Sequence, residues 1–171
     1  DPVFIDTNRS WMRDSGPIVV KRENNSNEAL MFGFNGWAKY GNYRKDRKVA
    51  EAIGHHLRLP VTRVLYKNKP VILEGGAIDC NGRGTLITTE ECLLDQSKQV
   101  RNPGLTKLDY ENIFHEYLGV TNVIWLGKGI EGDDTHGHID DICRFVNGNT
   151  VVACRESNNN DPNHRLLEDN L

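Results

Sequence analysis

The 171-residue sequence has no CxxC pair among its four cysteines, no large excess of either charge, and no apolar run long enough to cross a bilayer. Each absence excludes a class. With 21 basic and 24 acidic residues and a net charge of −3, the chain advertises no polyanion-binding surface, so no nucleic acid is expected as a partner. Without a spanning segment or a visible signal peptide, no membrane partner is expected either. The isolated cysteines Cys80, Cys92, Cys143 and Cys154 read as buried free thiols of a cytoplasmic protein. Asn8-Arg9-Ser10 and Asn24-Asn25-Ser26 match the glycosylation acceptor pattern, but matches this short arise often by chance. The length suits one domain with a substantial core. The chain opens at Asp1 without a methionine and closes at Leu171 inside a helix begun at Asp161-Pro162. Both ends read as cut from something longer.

What is present in abundance is chemistry in one short stretch. Gly132-Asp133-Asp134-Thr135-His136-Gly137-His138-Ile139-Asp140-Asp141 puts two imidazoles and four carboxylates into ten residues. The apolar run Ile142-Cys143-Arg144-Phe145-Val146 follows. If that run is a strand, alternation places His136, His138 and Asp140 on one face with Ile142. A histidine two residues from an aspartate offers a proton carrier beside a fixed negative charge. That suits acid/base work on a cationic substrate, or metal ligation. The plain alternative is a polar turn entering a strand.

Taken in order, the chain repeats itself. Strands are expected at Pro17–Lys21 and Ala29–Phe34 across an Asn-rich turn, then a helix from about Asp46 to Arg58, then a β-rich run at Val61–Tyr66. The order returns with a strand at Gly75–Cys80, a tight turn at Asn81–Gly84 and a strand at Thr85–Thr88. A helix capped by Thr106 follows, with Leu108, Ile113, Tyr117 and Leu118 as its apolar candidates, and then a strand at Asn122–Leu126. A third round opens at His138, turns at Asn147-Gly148-Asn149, and returns through Thr150–Cys154. The fold class is therefore α/β, built of strand–strand–helix–strand units, two complete and one begun. They occupy about 1–66, 67–126 and 127–171 of a single partial domain. Asp14, Glu74 and His138 open the three units at spacings of 60 and 64 residues. Units repeating at such a period stack or form rings. Side chains at equivalent positions then converge, which is the reason to treat Asp14, Glu74, His138 and Asp140 as one site.

Taken singly, these groups have structural explanations. Arg13 and Asp14 could be a salt bridge with Trp11 as a core anchor, and Glu74 a turn acid beside Gly75-Gly76. Trp37 suits a pocket wall or a buried anchor. Thr89-Glu90-Glu91-Cys92 reads as helix-start chemistry and packing, which makes Cys92 a poor nucleophile. A rival reading starts from Thr135-His136-Gly137-His138-Ile139-Asp140-Asp141. It nearly matches the Thr-His-x-His-x-Asp-His signature of metallo-β-lactamase-like zinc hydrolases, with Asp141 in place of the last histidine.

Trp11-Met12-Arg13-Asp14-Ser15-Gly16-Pro17, Glu74-Gly75-Gly76 with Asn81-Gly82-Arg83-Gly84-Thr85, and Thr89–Leu94 carry a further likeness, as do Arg101-Asn102-Pro103, Val123–Leu126 and Gly137-His138-Ile139-Asp140. On these residues the chain resembles the agmatine deiminase and Porphyromonas-type peptidylarginine deiminase family of guanidine-modifying enzymes. The resemblance implies a partial pentein α/β-propeller, whose ββαβ blades number five around the active site. It also implies hydrolysis of agmatine to N-carbamoylputrescine and ammonia, or of arginine or peptidyl-arginine to citrulline, with no cofactor and no metal. By the same resemblance Asp14 and Asp140 clamp the guanidinium, each accepting paired N–H bonds. His138 is the acid/base, Glu74 orients and charge-balances it, and Trp11 walls the pocket. The family nucleophile is a cysteine in a glycine-rich C-terminal His-Cys motif, which nothing after Gly148 matches. The expectation is thus an inactive fragment that binds a small guanidinium substrate, agmatine by preference. Exposed edge strands and apolar faces are expected with it, and a complementary fragment or a homo-oligomer as its means of stability. A non-catalytic guanidinium-binding role is the other class of reading.

Overall fold

A computed structural model describes residues 2–171. The chain divides into one compact unit ending at Gly75 and another spanning Gly76–Leu171.

In the first unit, the one-turn helix α1 (Met12–Ser15) precedes the hairpin β1 (Ile18–Lys21) and β2 (Asn27–Met31). The hairpin is antiparallel, with Ile18 opposite Leu30 and Lys21 opposite Asn27. A 3-10 turn at Asp46–Lys48 leads into α2 (Val49–His56), and β3 (Val61–Arg63) returns parallel to β2, pairing Val61 with Ala29. A helical crossover is what a parallel return requires. α2 lies close on the sheet because position 54 has no side chain: a Cβ there would stand 2.4 Å from Val61 Cγ2. The apolar face of the helix is Val49 and Ala50, both buried, whereas Leu57, expected on that face, is exposed. The expected run Val61–Tyr66 breaks at Val64 into β3 and β4 (Leu65–Tyr66), and β4 pairs with β5 (Lys69–Pro70).

The second unit repeats the order. β6 (Asp79–Cys80) and β7 (Thr85–Thr89) are antiparallel across a turn in which Asn81 Oδ1 accepts from the amides of Arg83 and Thr85. α3 (Glu90–Leu94) and α4 (Lys107–Leu118) follow, and β8 (Asn122–Leu126) returns parallel to β7. α4 begins in a capping box formed by Thr106 and Asp109 and ends at Gly119 in the left-handed conformation (φ 67°). Its buried residues are Tyr110, Ile113 and Phe114, while Leu108 is exposed. Leu108 therefore lies off the core stripe, which runs through Tyr110, Ile113 and Phe114 with Tyr117 and Leu118 half-buried beside it. β9 (Cys143–Asn147) and β10 (Thr150–Ala153) form the third hairpin, and α5 (Pro162–Glu168) follows with Asp161 as its cap. Ile87, Ile139, Ile142, Cys143 and Leu167 pack together, tying β7, β9 and α5 to the segment that carries His138.

Further expectations need correction. The strand expected at Gly75–Cys80 opens with a 3-10 turn at Gly75–Ala77, and only Asp79–Cys80 is strand. The stretch from His138 is not strand at its start: Ile139–Asp141 is a 3-10 turn, and the strand begins at Cys143. Hydrogen bonds to the Asp133 side chain bend the preceding backbone, as described below. The cysteines are free, but only Cys92 and Cys143 are buried; Cys80 and Cys154 are exposed. The outer hairpin leaves Val146, Val151 and Val152 in solvent, as expected of an apolar edge. Among the described residues no helix is long and apolar enough to cross a membrane.

Candidate functional site

In the first unit α1 delivers Asp14. The helix is a single turn, closed by the Gly16 amide donating to the Met12 carbonyl. Asp14 is buried, and its Oδ2 accepts from Trp37 Nε1 at 3.0 Å. Trp37 is thus a buried anchor whose indole N–H holds the carboxylate, while its ring meets Phe34 edge-on with centroids 5.1 Å apart. Trp11 is instead 63% exposed, so it is free to face a ligand rather than the core.

Glu74 is fully buried. Its neighbour explains how it comes near α1. A Cβ on Gly75 would stand 2.2 Å from the Arg13 carbonyl oxygen, so only glycine lets this backbone lie against Arg13-Asp14. Glu74 is held from the other side as well, because the Leu73 amide donates to the Gly33 carbonyl. The glycine after Glu74 is therefore a close-approach position, a requirement that a flexible-loop reading of the sequence missed.

In the second unit His138 is 2% exposed and precedes the 3-10 turn. Its Nδ1 lies 3.7 Å from Asp140 Oδ1. The buried Ile139 between them roots the pair in the apolar cluster. His136, expected on the same face, is elsewhere: its Nε2 is 2.8 Å from Asp95 Oδ2 and its Nδ1 3.8 Å from Glu91 Oε1. The reason is backbone conformation. His136 and Gly137 are both left-handed, at φ 64° and 88°, which destroys strand alternation and swings the two imidazoles apart. The metallo-hydrolase signature is thus not assembled as a ligand set. His136 is fastened to α3, and only His138 stays with Asp140.

Several residues that sequence reasoning left aside build this loop. Asp133 accepts from the Thr135 amide (2.7 Å) and hydroxyl (2.6 Å) through Oδ1, and from the Gly137 (2.6 Å) and His138 (3.2 Å) amides through Oδ2. Burial raises its carboxyl, but these donors outweigh that and hold it below the usual range. Thr89 caps α3 by accepting from the Cys92 amide and also donates to the Gly137 carbonyl at 2.5 Å. Hydrogen bonds from the Ser97 hydroxyl, the Ser97 amide and His136 hold Asp95 well below the usual carboxylate range, against the opposing effect of burial. An open cleft of about 500 Å³ beside His136 is lined by Glu90, Glu91, Asp95 and Lys128, but not by His138 or Asp140. For Cys143, burial first and then the charges of Asp79 and Cys154 push the thiol up, the opposite of what a nucleophile needs.

The arrangement offers an imidazole removed from water beside a carboxylate, and two further acids that are buried in the first unit. Buried carboxylates suit a cation that can donate several N–H bonds.

Comparison with known proteins bears on family and fold. The family model of Porphyromonas-type peptidyl-arginine deiminases matches residues 2–171. An agmatine deiminase of Pseudomonas aeruginosa is 36% identical over 167 residues, which cover 95% of this chain and 44% of that protein. Among solved structures, an agmatine deiminase of Enterococcus faecalis matches with a TM-score of 0.86 at 32% identity, covering 96% of this chain and 45% of that one. An agmatine deiminase of C. jejuni with substrate bound matches with a TM-score of 0.83 at 33% identity, covering 96% and 47%. The chain spans less than half the length of the curated relatives it matches. Its ββαβ units are those of the pentein fold of these deiminases.

Proposed function

Because the chain belongs to the Porphyromonas-type peptidyl-arginine deiminase family, we propose that it supplies the guanidinium-binding acids and the proton carrier for hydrolysis of a guanidinium group. Agmatine is the preferred substrate, giving N-carbamoylputrescine and ammonia. Asp14 and Asp140 accept N–H bonds from the planar cation. Trp11 offers a ring face to it. Glu74 orients His138 and balances its charge.

The chemistry requires a thiolate. It attacks the guanidinium carbon, and the tetrahedral adduct expels ammonia as His138 gives up a proton, leaving an amidino-thioether. Water then loses a proton to His138 and adds to the same carbon. Collapse of that adduct breaks the C–S bond, restores the thiolate and releases the ureido product. Cys92 is packed in the core and the Cys143 thiol is pushed up, and neither Cys80, in β6, nor Cys154, just past β10, stands in a glycine-rich His-Cys motif. We assign the nucleophile to a cysteine beyond these 171 residues. The three-unit division of the chain belongs to the same reading, each unit contributing one side chain or pair.

The observation that carries the reading is the buried His138 with Asp140 at 3.7 Å, inside a Gly-His-Ile-Asp segment of a chain of this family. Calorimetric titration tests it. Agmatine should bind and putrescine, which lacks the guanidinium, should not. Asp14→Asn and Asp140→Asn should each weaken binding at least roughly tenfold, as loss of a charge-assisted bond predicts. Equal affinity for agmatine and putrescine would refute the assignment. The 171-residue chain should form no N-carbamoylputrescine from agmatine or citrulline from arginine.

A further inference from the structure

Four hydrogen bonds converge on one side chain whose place in the chemistry has not been assigned. Four donors meet Asp133: the Thr135 amide and hydroxyl on Oδ1, the Gly137 and His138 amides on Oδ2. An acceptor-only group with two oxygens satisfies all four; an asparagine would turn its NH2 toward two of them. The backbone so held is one that a free chain avoids. His136 is a non-glycine residue in the left-handed region (φ 64°), which L side chains disfavour, and the glycine after it is confined as well. A Cβ at position 137 would stand 3.0 Å from both Glu91 Oε2 and Thr89 Oγ1.

The fastenings fall on two sides. Outside, α3 takes the loop through Thr89 to the Gly137 carbonyl and through Asp95 to the His136 ring. Inside, Asp133 takes the amides at 137 and 138, the second of which belongs to the acid/base itself. The inner fastening reaches the backbone of the residue whose ring faces Asp140. Its charge also reaches the following turn: after burial, Asp133 is the next cause that pushes the Asp141 carboxyl up, ahead of Asp140.

We propose that Asp133 is a positioning residue for His138: its carboxylate sets the backbone at 135–138 so that the imidazole is presented to Asp140. The role rests on the reading of His138 as the proton carrier, but its test does not need turnover or substrate. The ring nitrogens of His138 are followed by 15N NMR in the ligand-free chain, together with exchange of the Gly137 and His138 amides. In Asp133→Asn, below its melting temperature, the His138 ring signals should move and both amides should lose protection. Thr106→Ala, which removes the α4 cap, serves as a destabilised control and should leave the His138 signals in place. If Asp133→Asn does not fold, Asp133→Ser, which keeps one acceptor, is read in the same way. A folded Asp133 variant with a lower melting temperature but unmoved His138 signals would overturn the proposal, leaving Asp133 a stabilising residue only. Failure of the wild-type chain to bind agmatine would instead count against the guanidinium assignment and leave this result standing.

Discussion

Replacing Gly75 by alanine perturbs one distance. The Cβ would stand 2.2 Å from the Arg13 carbonyl oxygen, where ordinary contacts lie near about 3.5 Å. The segments must part by about 1 Å. Gly75 is not among the glycines with positive φ, so the substitution carries no left-handed penalty and its whole cost is this clash. Overpacking of that kind costs about 1–3 kcal/mol, which for a chain of this length lowers the melting temperature by about 2–12 °C. The same displacement moves Glu74 relative to Asp14, so agmatine affinity should fall as well, roughly tenfold or more given what a misplacement of 1 Å does to a site. Thermal melts read the first effect and calorimetric titration the second. A variant that melts within a degree of the parent and binds agmatine unchanged would refute the close approach of residue 75 to α1.

Other consequences are quickly checked. Trp37→Phe removes the donor to Asp14 and should destabilise by about 1.5–3 kcal/mol, measured by denaturant melts. Thr106→Ala should cost about 1 kcal/mol through loss of the α4 capping box, with helical circular dichroism retained at low temperature. Iodoacetamide at neutral pH should modify the exposed Cys80 and Cys154 first and spare Cys143, as peptide mapping will show. Asp133 and Asp95 have depressed carboxyls in the folded chain, so their stabilisation is complete above the unfolded value of about 3.9 and is lost as pH falls through the folded values below it. Acid melts should therefore show a loss of stability below about pH 4 that is smaller in Asp133→Asn.

The ββαβ order was legible because hairpin turns such as Asn81–Gly84 and the Thr106 cap leave local marks, and because parallel returns need helices between them. The candidate site was legible in part. Asp14, Glu74, His138 and Asp140 could be singled out by their polar openings, but the 60–64-residue spacing says nothing of conformation inside each opening. Strand alternation failed at His136-Gly137 because Asp133, a side chain outside the expected strand, bends the backbone into the left-handed region. The signal was present as the spacing Asp133-x-Thr135-x-Gly137, an aspartate followed by donors and a glycine. On α4 one expected position failed for a different reason: Tyr110, Ile113 and Phe114 fill the buried face, so Leu108, the more apolar residue at the start of the helix, is left in solvent.

The most direct test follows the His138 ring by 15N NMR while agmatine is added to the wild-type chain and to Asp140→Asn. Saturable movement of the His138 signals in the first, abolished in the second, is the predicted result. Agmatine that binds without moving the His138 signals would contradict the assignment of this imidazole to the guanidinium.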